Sequence, residues 1–409
     1  MTRGRAVHIG LGVASALLFV GGVLAFLVSR PPGDHSRPSL EGSVRKVVLA
    51  VSPQDTANNV RLDASVTLSV KDGQLGDVTV TAASGAATPG LSRNLGPEPK
   101  VGPAVLTGTG DDRSWRSSAP LEPGTTYTVA ATVVDFAGRR EVRRSTFTTL
   151  TPSKVLKVGI GPLDGQTVGI GMPLALYLTS PVHDHAAFEK RLSVTTTPAV
   201  AGAWHWFSDV ELHYRPQNYW APGTKVSIQA NVAAFDDGDG VWAVTPRTMS
   251  FSIGDAHVST VDAGTHMMTV TAGGTTLRTL PVSTGRDKYP TDSGVHVVSE
   301  KEPQVVMDSA TVGIPRNSPD GYYETVDWDV RISNSGEFVH AAPWSLDDQG
   351  HDNVSHGCVN LAPDDAHWFF DFTVPGDIVT VVGTPKQLAP TNGYGDWNVP
   401  WSQWASTTG

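Results

Sequence analysis

The 409-residue sequence predicts a mainly β protein: an N-terminal transmembrane helix, two β-sandwiches in tandem, and a β-rich third domain with a short helix. Its 42 glycines and 29 prolines favour strands and turns over long helices. Apolar and polar residues alternate between Val60 and Leu68, which is typical of half-buried antiparallel strands. A Pro-Gly turn that introduces a strand occurs at Pro123-Gly124 and again at Pro222-Gly223, and a repeat at this spacing indicates two similar modules.

The composition excludes several classes of function. A formal net charge of −10 gives no basic surface for nucleic acid, so no nucleic-acid partner is expected. The sequence contains no CxxC pair, no GxGxxG or Walker sequence and no HExxH. Zinc-finger, dinucleotide-binding, P-loop and metalloprotease functions therefore have no motif to support them.

The N-terminal residues predict the cellular compartment of the protein. Arg3 and Arg5 precede an apolar run over residues 6–29, which as a helix would span about 36 Å, enough for a hydrocarbon core of about 30 Å. The basic residues place residues 1–5 in the cytoplasm and everything after the anchor outside the cell membrane, with residues 30–45 as a linker. A signal peptide cleaved after Val23-Leu24-Ala25 is the alternative, although the apolar run exceeds the usual length of such peptides.

The extracytoplasmic part divides into modules. We place the two sandwiches at 46–151 and 153–255, and the third domain at 256–384. In the third domain, Met267–Val270 and Leu277–Val282 predict a hairpin around a Gly-Gly turn.

The end of the chain predicts a short helix, a strand and a packed tail. Pro363 and the two acids after it start the helix, and Ile378–Val382 forms a last strand. The segment 385–409 carries three tryptophans, which we expect to pack back onto the third domain because exposed tryptophans are unusual: Trp397, Trp401 and Trp404.

The most informative residue is Cys358, the single cysteine of the chain, in the sequence Ser-His-Gly-Cys-Val-Asn at 355–360. A lone thiol cannot form a disulfide within its chain, so it is either an inert core residue or a nucleophile. A free thiol ionises near pH 8.5 and usually needs a histidine partner. His356 lies two residues away, and His340 would arrive from an adjacent strand. Gly357 allows the N–H groups of residues 357 and 358 to face a substrate oxyanion.

Known cysteine–histidine arrangements narrow the choice of enzyme class. In papain-like proteases the cysteine precedes the histidine, the reverse of the order here. Sortases have the order found here but need an arginine after the cysteine, and none follows Cys358. Two alternatives stay open: a buried inert thiol, and a zinc site. The zinc ligands would be His340, His351, His356 and Cys358.

Residues 256–384 resemble the L,D-transpeptidase catalytic domain, also called the YkuD domain. Its signature is a histidine, about fifteen residues, and then Ser/Thr-His-Gly-Cys-apolar-Asn/Arg. Here His340 is followed by fourteen residues and the motif at 355–360. The whole chain resembles the mycobacterial-type members of actinobacteria, which have a membrane anchor, two immunoglobulin-like domains, the catalytic domain and a C-terminal segment folded back onto it.

The resemblance implies a role for each matching residue. Cys358 would be the nucleophile and His340 the general base, oriented by the backbone carbonyl of Ala341. Tyr322 would contribute to the substrate pocket and the oxyanion region. The remaining expected site residues are pocket, lid and motif positions: Met307, Trp344, Ser355, His356, Gly357 and Asn360. Val312 departs from the family pattern, since related enzymes carry an aromatic residue there on the lid.

The resemblance also implies a reaction. A tetrapeptide stem of peptidoglycan would acylate Cys358 with release of D-alanine, and a second stem would take the acyl group to form a 3→3 cross-link. Carbapenems would acylate the same thiol, and no cofactor or metal is expected. Two alternatives remain, an L,D-carboxypeptidase that passes the acyl group to water and a non-catalytic wall-binding or spacer protein.

Overall fold

The computed structural model describes residues 46–83 and 105–407. The predicted cytoplasmic stub, transmembrane anchor and linker at 1–45 lie outside these residues. Within the described ranges, no helix is both long enough and apolar enough to cross a bilayer.

The first β-sandwich packs two four-stranded sheets, ordered β1-β3-β6-β5 and β2-β8-β7-β4. Side chains alternate strictly along β7, so that Tyr127, Val129, Ala131 and Val133 are buried and the residues between them are not. The strands are β1 Val48–Ser52, β2 Ala57–Val60, β3 Thr67–Lys71, β4 Gln74–Ala82, β5 Gly108–Gly110, β6 Ser114–Ser117, β7 Thr126–Val134 and β8 Arg140–Thr149.

The second β-sandwich has sheets ordered β10-β12-β15-β14 and β11-β19-β16-β13, with a small third sheet β17-β18-β9. Its elements are β9 Lys154–Leu156, β10 Val158–Gly161, β11 Thr167–Val168, β12 Leu174–Leu178, α1 His185–Glu189, β13 Leu192–Thr197, β14 Gly202–Ser208, β15 Glu211–Pro216, β16 Lys225–Ala230, β17 Phe235–Asp236, β18 Val241–Ala243 and β19 Arg247–Ile253.

The repeated Pro-Gly turns introduce corresponding strands of the two sandwiches. Gly124 has φ +59° and stands before β7, and Gly223 has φ +78° and stands before β16. Both glycines adopt the left-handed conformation that a turn of this kind requires of its third residue. The repeat in the sequence is therefore a repeat of structure.

The third domain contains a five-stranded sheet β22-β21-β20-β28-β23 and a four-stranded sheet β24-β25-β26-β27. Helix α2 begins at Pro363 with two acids in its first turn and buries Ala366 and Phe369 in the core of this domain. The elements are β20 His257–Asp262, β21 Met267–Ala272, β22 Thr275–Pro281, β23 Gly294–Val297, β24 Glu300–Asp308, β25 Tyr323–Arg331, β26 Phe338–Ala341, β27 Val359–Leu361, α2 Pro363–Phe372, β28 Ile378–Val382 and α3 Trp401–Trp404.

The second sandwich and the third domain share one hydrophobic core. Val297 and Ile378 of the third domain belong to the same buried cluster as the sandwich side chains. The N–H of Gly169 donates to the Pro375 carbonyl at 2.8 Å, and a Cβ at Gly169 would lie 2.2 Å from the backbone nitrogen of Asp377. A side chain at Gly169 would therefore force the two domains apart.

The C-terminal tail contacts the second sandwich as well as the third domain, onto which the sequence predicts that it packs. Two of its tryptophans bond to the second sandwich: Trp397 Nε1 donates to the Gly171 carbonyl at 2.8 Å, and Trp404 Nε1 donates to the Ala203 carbonyl at 2.9 Å. The tail reaches the third domain through Asn398, whose side chain bonds the backbone of Val295. The sequence does not show which surface lies opposite an aromatic segment, so the contact with the second sandwich was not predicted.

Candidate active site

Two adjacent parallel strands position the chemical groups of the site. β26 pairs with β27 so that His340 lies opposite Asn360. Because side chains two residues apart on an extended chain share a face, Cys358, immediately before β27, projects to the same side as Asn360 and His340. The sheet thus brings together a thiol and an imidazole that are 18 residues apart in sequence.

Ser355 holds the turn that carries the thiol. Its hydroxyl donates to the Cys358 carbonyl at 2.6 Å and accepts from the Gly357 N–H at 3.1 Å. Gly357 has φ +129°, a conformation that residues with a Cβ rarely adopt. Thr291, from the loop beneath the turn, donates to the Gly357 carbonyl at 2.8 Å. The turn is therefore held by the hydrogen bonds of Ser355 within it and by the hydrogen bond from Thr291 in a neighbouring loop.

The hydrogen bonding of Gly357 corrects one expectation. The sequence predicted that the N–H groups of residues 357 and 358 both act as oxyanion donors. In the structure the Gly357 N–H already donates to the Ser355 hydroxyl. The Ser355 hydroxyl lies two residues earlier in the same tight turn, so it is close enough to accept the Gly357 N–H in place of water. Gly357 serves the turn through its backbone conformation.

The Cys358 thiol is neutral in this environment. Burial raises the pKa of Cys358 to about 12, and the carboxyl groups of Glu337 and Asp329 act in the same direction, against a hydrogen bond from the Phe338 backbone. Cys358 Sγ lies 3.7 Å from the Gly336 carbonyl oxygen, a distance at which the thiol can donate a weak hydrogen bond.

His340 is held in the tautomer that a base needs. Its Nδ1 lies 2.9 Å from the Ala341 carbonyl oxygen, which only accepts, so Nδ1 carries the hydrogen and Nε2 keeps its lone pair. Burial lowers the pKa of His340 to about 4, and the bond to Ala341 offsets this only in part. At neutral pH the ring is thus an uncharged base beside an uncharged thiol.

The structure distinguishes the two candidate bases, His340 and His356, by the hydrogen bonds that their rings make. Nε2 of His356 lies 2.8 Å from Nη2 of Arg286, and because a guanidinium only donates, this nitrogen is occupied as an acceptor. Burial and the charge of Arg286 lower the pKa of His356. The ring lies between Tyr289 and Tyr322, with centroid distances of 5.1 and 4.9 Å. His356 therefore has its polar contacts fixed, while Nε2 of His340 remains available.

One open cavity of about 260 Å³ contains nearly all of the predicted site. Among the predicted residues, Gly357 and Ala341 do not line it: Ala341 buries its side chain in the domain core and offers its carbonyl to His340. Trp344 is 52% exposed at the rim, and its ring centroid is 6.0 Å from that of His340. The lining residues are Met307, Tyr322, Glu324, His340, Trp344, Val354, Ser355, His356, Cys358 and Asn360.

Glu324 and Val354 are the lining residues that the sequence reasoning missed. Glu324 pairs directly with Met307 across β24 and β25, and it lies two residues after Tyr322. Strand alternation from Tyr322 was the signal that could have found it. Burial raises the pKa of Glu324, which places a carboxyl group of shifted acidity in the cavity.

The proposed zinc ligands do not assemble. His351 is exposed on a turn outside the cavity lining. Within residues 46–83 and 105–407, no three His, Cys, Asp or Glu side chains are grouped so as to hold a metal ion. The described part of the chain offers a cysteine–histidine site without a metal-binding cluster.

A β-rich domain with a cysteine and a buried histidine in one cavity defines the class as a cysteine–histidine enzyme. Residues 256–381 match the L,D-transpeptidase catalytic domain, and residues 100–236 match a bacterial Ig domain. L,D-transpeptidase 2 of Mycobacterium tuberculosis (strain CDC 1551 / Oshkosh) is 38% identical over 372 residues, which cover 91% of this chain and 86% of that protein. The chain belongs to the L,D-transpeptidase family and is a transpeptidase enzyme.

Further comparisons agree with this assignment. L,D-transpeptidase 1 of Mycobacterium tuberculosis (strain ATCC 25618 / H37Rv) is 39% identical over 224 residues, covering 55% of this chain and 84% of that protein. The solved structure of the L,D-transpeptidase LdtMt1 in complex with imipenem matches with a TM-score of 0.50 and 38% identity, covering 56% of this chain and all of that chain.

Proposed function

We propose that this enzyme forms 3→3 cross-links in peptidoglycan through a thioester on Cys358. The observation that carries the proposal is the pairing, on one face of β26 and β27, of a lone thiol with an imidazole whose Nε2 is free to accept a proton. The donor would be a tetrapeptide stem, attacked at the carbonyl that joins the L-centre of its diamino acid to the terminal D-alanine.

The first half-reaction transfers the acyl group to sulfur. His340 Nε2 takes the thiol proton as Sγ bonds to the carbonyl carbon. Because the thiol and the imidazole are both uncharged at rest, the proton moves with the attack and not before it. We assign the Cys358 N–H and the Tyr322 hydroxyl as oxyanion donors. The C–N bond then breaks, and D-alanine leaves with the proton from His340.

The second half-reaction hands the acyl group to an amine. The side-chain amine of a second stem attacks the thioester, the C–S bond breaks, and the proton lost by the amine returns through His340 to Sγ. We assign Glu324 to the incoming amine because a carboxylate in the cavity attracts an ammonium group and can take the proton that this group must lose before it attacks. In this proposal Glu324 favours transfer to an amine over transfer to water.

Product analysis tests the choice of acceptor. Incubation of the purified enzyme with a disaccharide-tetrapeptide should give a cross-linked dimer and free D-alanine, detected by mass spectrometry. A tripeptide product without dimer would instead assign the enzyme as an L,D-carboxypeptidase with the same nucleophile.

Carbapenem labelling tests the nucleophile. Since LdtMt1 has been solved with imipenem, we propose that a carbapenem acylates Cys358 by the same route as the donor stem. The intact protein should gain the mass of one carbapenem, and Cys358→Ser should not. No adduct on the wild type, or an adduct that survives the substitution, contradicts the proposal.

We propose that residues 6–29 anchor the chain in the cell membrane and that the two sandwiches act as spacers that carry the catalytic domain into the wall. The apolar run and the basic residues before it support the anchor. Sequencing the N-terminus of the mature protein tests it, because a start near Phe26 would mean a cleaved signal peptide. Removing the first sandwich, which lies outside the core shared by the second sandwich and the catalytic domain, should lower cross-linking in cells more than in solution.

A further inference from the structure

A flap over residues 309–322 joins β24 to β25 beside the cavity, and charged contacts hold it at both ends. At its base, Arg316 Nη2 lies 2.5 Å from Asp308 Oδ2. Near the C-terminal end of the flap lies Asp320, two residues before the cavity residue Tyr322. Contacts that hold Asp320 therefore also help to hold Tyr322 in the cavity.

Asp320 is held by three side chains from one loop. Its Oδ1 lies 2.5 Å from Arg286 Nη2, and its Oδ2 lies 2.5 Å from Lys288 Nζ and 3.1 Å from the Tyr289 hydroxyl. Side-chain exposure is 34% for Arg286 and 21% for Asp320, so this pair is partly shielded from solvent. Charge-assisted bonds of this kind are stronger than bonds between neutral groups.

Arg286 also contacts the turn that carries the nucleophile. The same Nη2 that reaches Asp320 lies 2.8 Å from His356 Nε2, and the Arg286 backbone N–H donates to the Ser355 carbonyl at 3.1 Å. A hydrogen bond with the Asp320 backbone acts on the His356 ring as well. His356 is thus held by Arg286 and by the flap, and Arg286 is held by the carboxylate of the flap.

We propose that Arg286 is a positioning residue that couples closure of the flap to the nucleophile turn. With the flap down, Asp320 fixes the guanidinium, which fixes the tautomer and the plane of His356 next to Cys358. With the flap lifted, Arg286 loses its carboxylate partner and His356 loses both contacts. The inference rests on the proposed function, since it assigns a role in acylation by the donor stem.

The chain supplies a matched pair of variants. Asp320→Asn keeps the size of the side chain and removes the charge that holds Arg286. Asp308→Asn removes the equivalent charge at the base of the same flap, where Arg316 makes no contact with His356. A difference between the two variants therefore reports the link to His356 and not the general stability of the flap.

The experiment measures carbapenem acylation and the tautomer of His356. Histidine ring nitrogens are observed by ¹⁵N NMR in the free enzyme at a fixed pH above neutrality. We expect Asp320→Asn to lower the limiting acylation rate about fivefold to tenfold and to move the His356 Nε2 signal, with Asp308→Asn altering chiefly the concentration at half-saturation. Arg286→Lys should move the signal in the same way, because a lysine lacks the fixed fork of donors.

Equal effects of the two aspartate variants on the limiting rate, or an unchanged His356 signal in Asp320→Asn, would overturn the inference. Melting temperatures identify a variant that fails to fold, and in that case Arg286→Lys carries the test. The NMR signal is read without turnover, so it tests the coupling even if product analysis rejects cross-linking. A wild-type enzyme without a carbapenem adduct would reject the proposed function alone.

Discussion

At the scale of single residues, His340 and Cys358 form an uncharged pair. Burial lowers the pKa of His340 and raises the pKa of Cys358, because in both groups it disfavours the charged form. The Ala341 carbonyl then decides which nitrogen of His340 holds the hydrogen. Under the proposed mechanism, such a pair would suppress non-specific thiol chemistry and would react when a substrate brings its carbonyl carbon to the sulfur.

The first prediction concerns the pH dependence of acylation. In the proposed mechanism His340 acts as a base when it is deprotonated. Because its pKa is lowered to about 4, carbapenem acylation should hold its rate as the pH falls through 6.5 and decline only near 4. Alkylation by iodoacetamide, which needs the thiolate, should stay slow until the pH approaches the raised pKa of Cys358 near 12. Stopped-flow rates over a pH series check both curves.

An acid limb centred near pH 6.5 would contradict this account, because it would indicate a solvated histidine or an ion pair. Circular dichroism must accompany the acid points. The unfolded chain binds a proton at His340 between pH 6.5 and about 4 that the folded chain does not, so this residue makes the fold less stable as the pH falls through that window.

At the scale of elements, the site depends on a parallel strand pair and the turn that precedes its second strand. The register of β26 and β27 sets which side chains share a face, and Ser355 sets the shape of the turn. A hydroxyl that donates to one backbone group and accepts from another cannot be replaced by an apolar side chain of the same size.

The second prediction tests this hydroxyl. Ser355→Ala should lower the carbapenem acylation rate about tenfold, the scale of a buried hydrogen-bonding group left unmatched at a reacting turn. Ser355→Thr keeps the hydroxyl and should retain most of the rate, which makes it the control. If Ser355→Ala reacts as fast as Ser355→Thr, the turn is held by other contacts such as that of Thr291.

Short-range signals made several elements predictable. The Gly273-Gly274 turn gave a hairpin because both glycines take positive φ, and Pro363 gave the start of α2 because a proline needs no partner for its nitrogen. The partners of His356 were not predictable. Arg286 and Asp320 lie 70 and 36 residues before it, and only the packing of two loops brings them together.

At the scale of the whole molecule, the C-terminal tail ties the second sandwich to the catalytic domain. The guanidinium of Arg215 lies over the rings of Trp404 and Trp397, at 4.2 and 4.6 Å from their centroids. Trp404 is fully buried, while His213 of the sandwich pairs with the buried Asp396 of the tail at 2.9 Å. These contacts join domains that already share a core.

The third prediction uses two tryptophans of opposite exposure. Trp404→Ala should lower the free energy of unfolding by about 3–5 kcal/mol, because it leaves a cavity between the sandwich and the tail. Trp344→Ala removes a half-exposed ring at the cavity rim and should leave the melting temperature nearly unchanged while weakening donor binding. Calorimetry and acylation kinetics on both variants check the pair. Equal melting temperatures would show that the tail is not structural.

The fourth prediction concerns stability at alkaline pH. Burial alone would lower the pKa of His213, but the charges and hydrogen bonds of Asp396 and, to a smaller extent, of Glu211 outweigh it and raise the pKa to about 9. A raised pKa gives a stabilisation that is complete below pH 6.5 and is lost as the pH rises through 9, with an upper bound of about 3 kcal/mol. Urea unfolding at a series of pH values measures this loss.

The matched variants are Asp396→Asn and Asp209→Asn. The first should remove most of the alkaline loss along with the stabilisation itself, whereas the second breaks a pair with His185 whose side chains are 36% and 55% exposed and should change little. A stability curve for Asp396→Asn that parallels the wild type between pH 6.5 and 9 would mean that Asp396 does not set the pKa of His213.

By itself, the sequence determined what depends on neighbouring residues. It gave the strand periodicity, the paired Pro-Gly turns, and the spaced histidine and cysteine signature that identified nearly the whole cavity. The resemblance carried by that signature also named His340 as the base. Only the tertiary structure decided that Arg286 occupies Nε2 of His356, that the Gly357 N–H donates to Ser355, that Glu324 lines the cavity, and that the tail packs on the second sandwich. Each of these depends on what lies opposite a side chain across a loop, a sheet or a domain boundary, and burial and hydrogen bonding there are not encoded in local spacing.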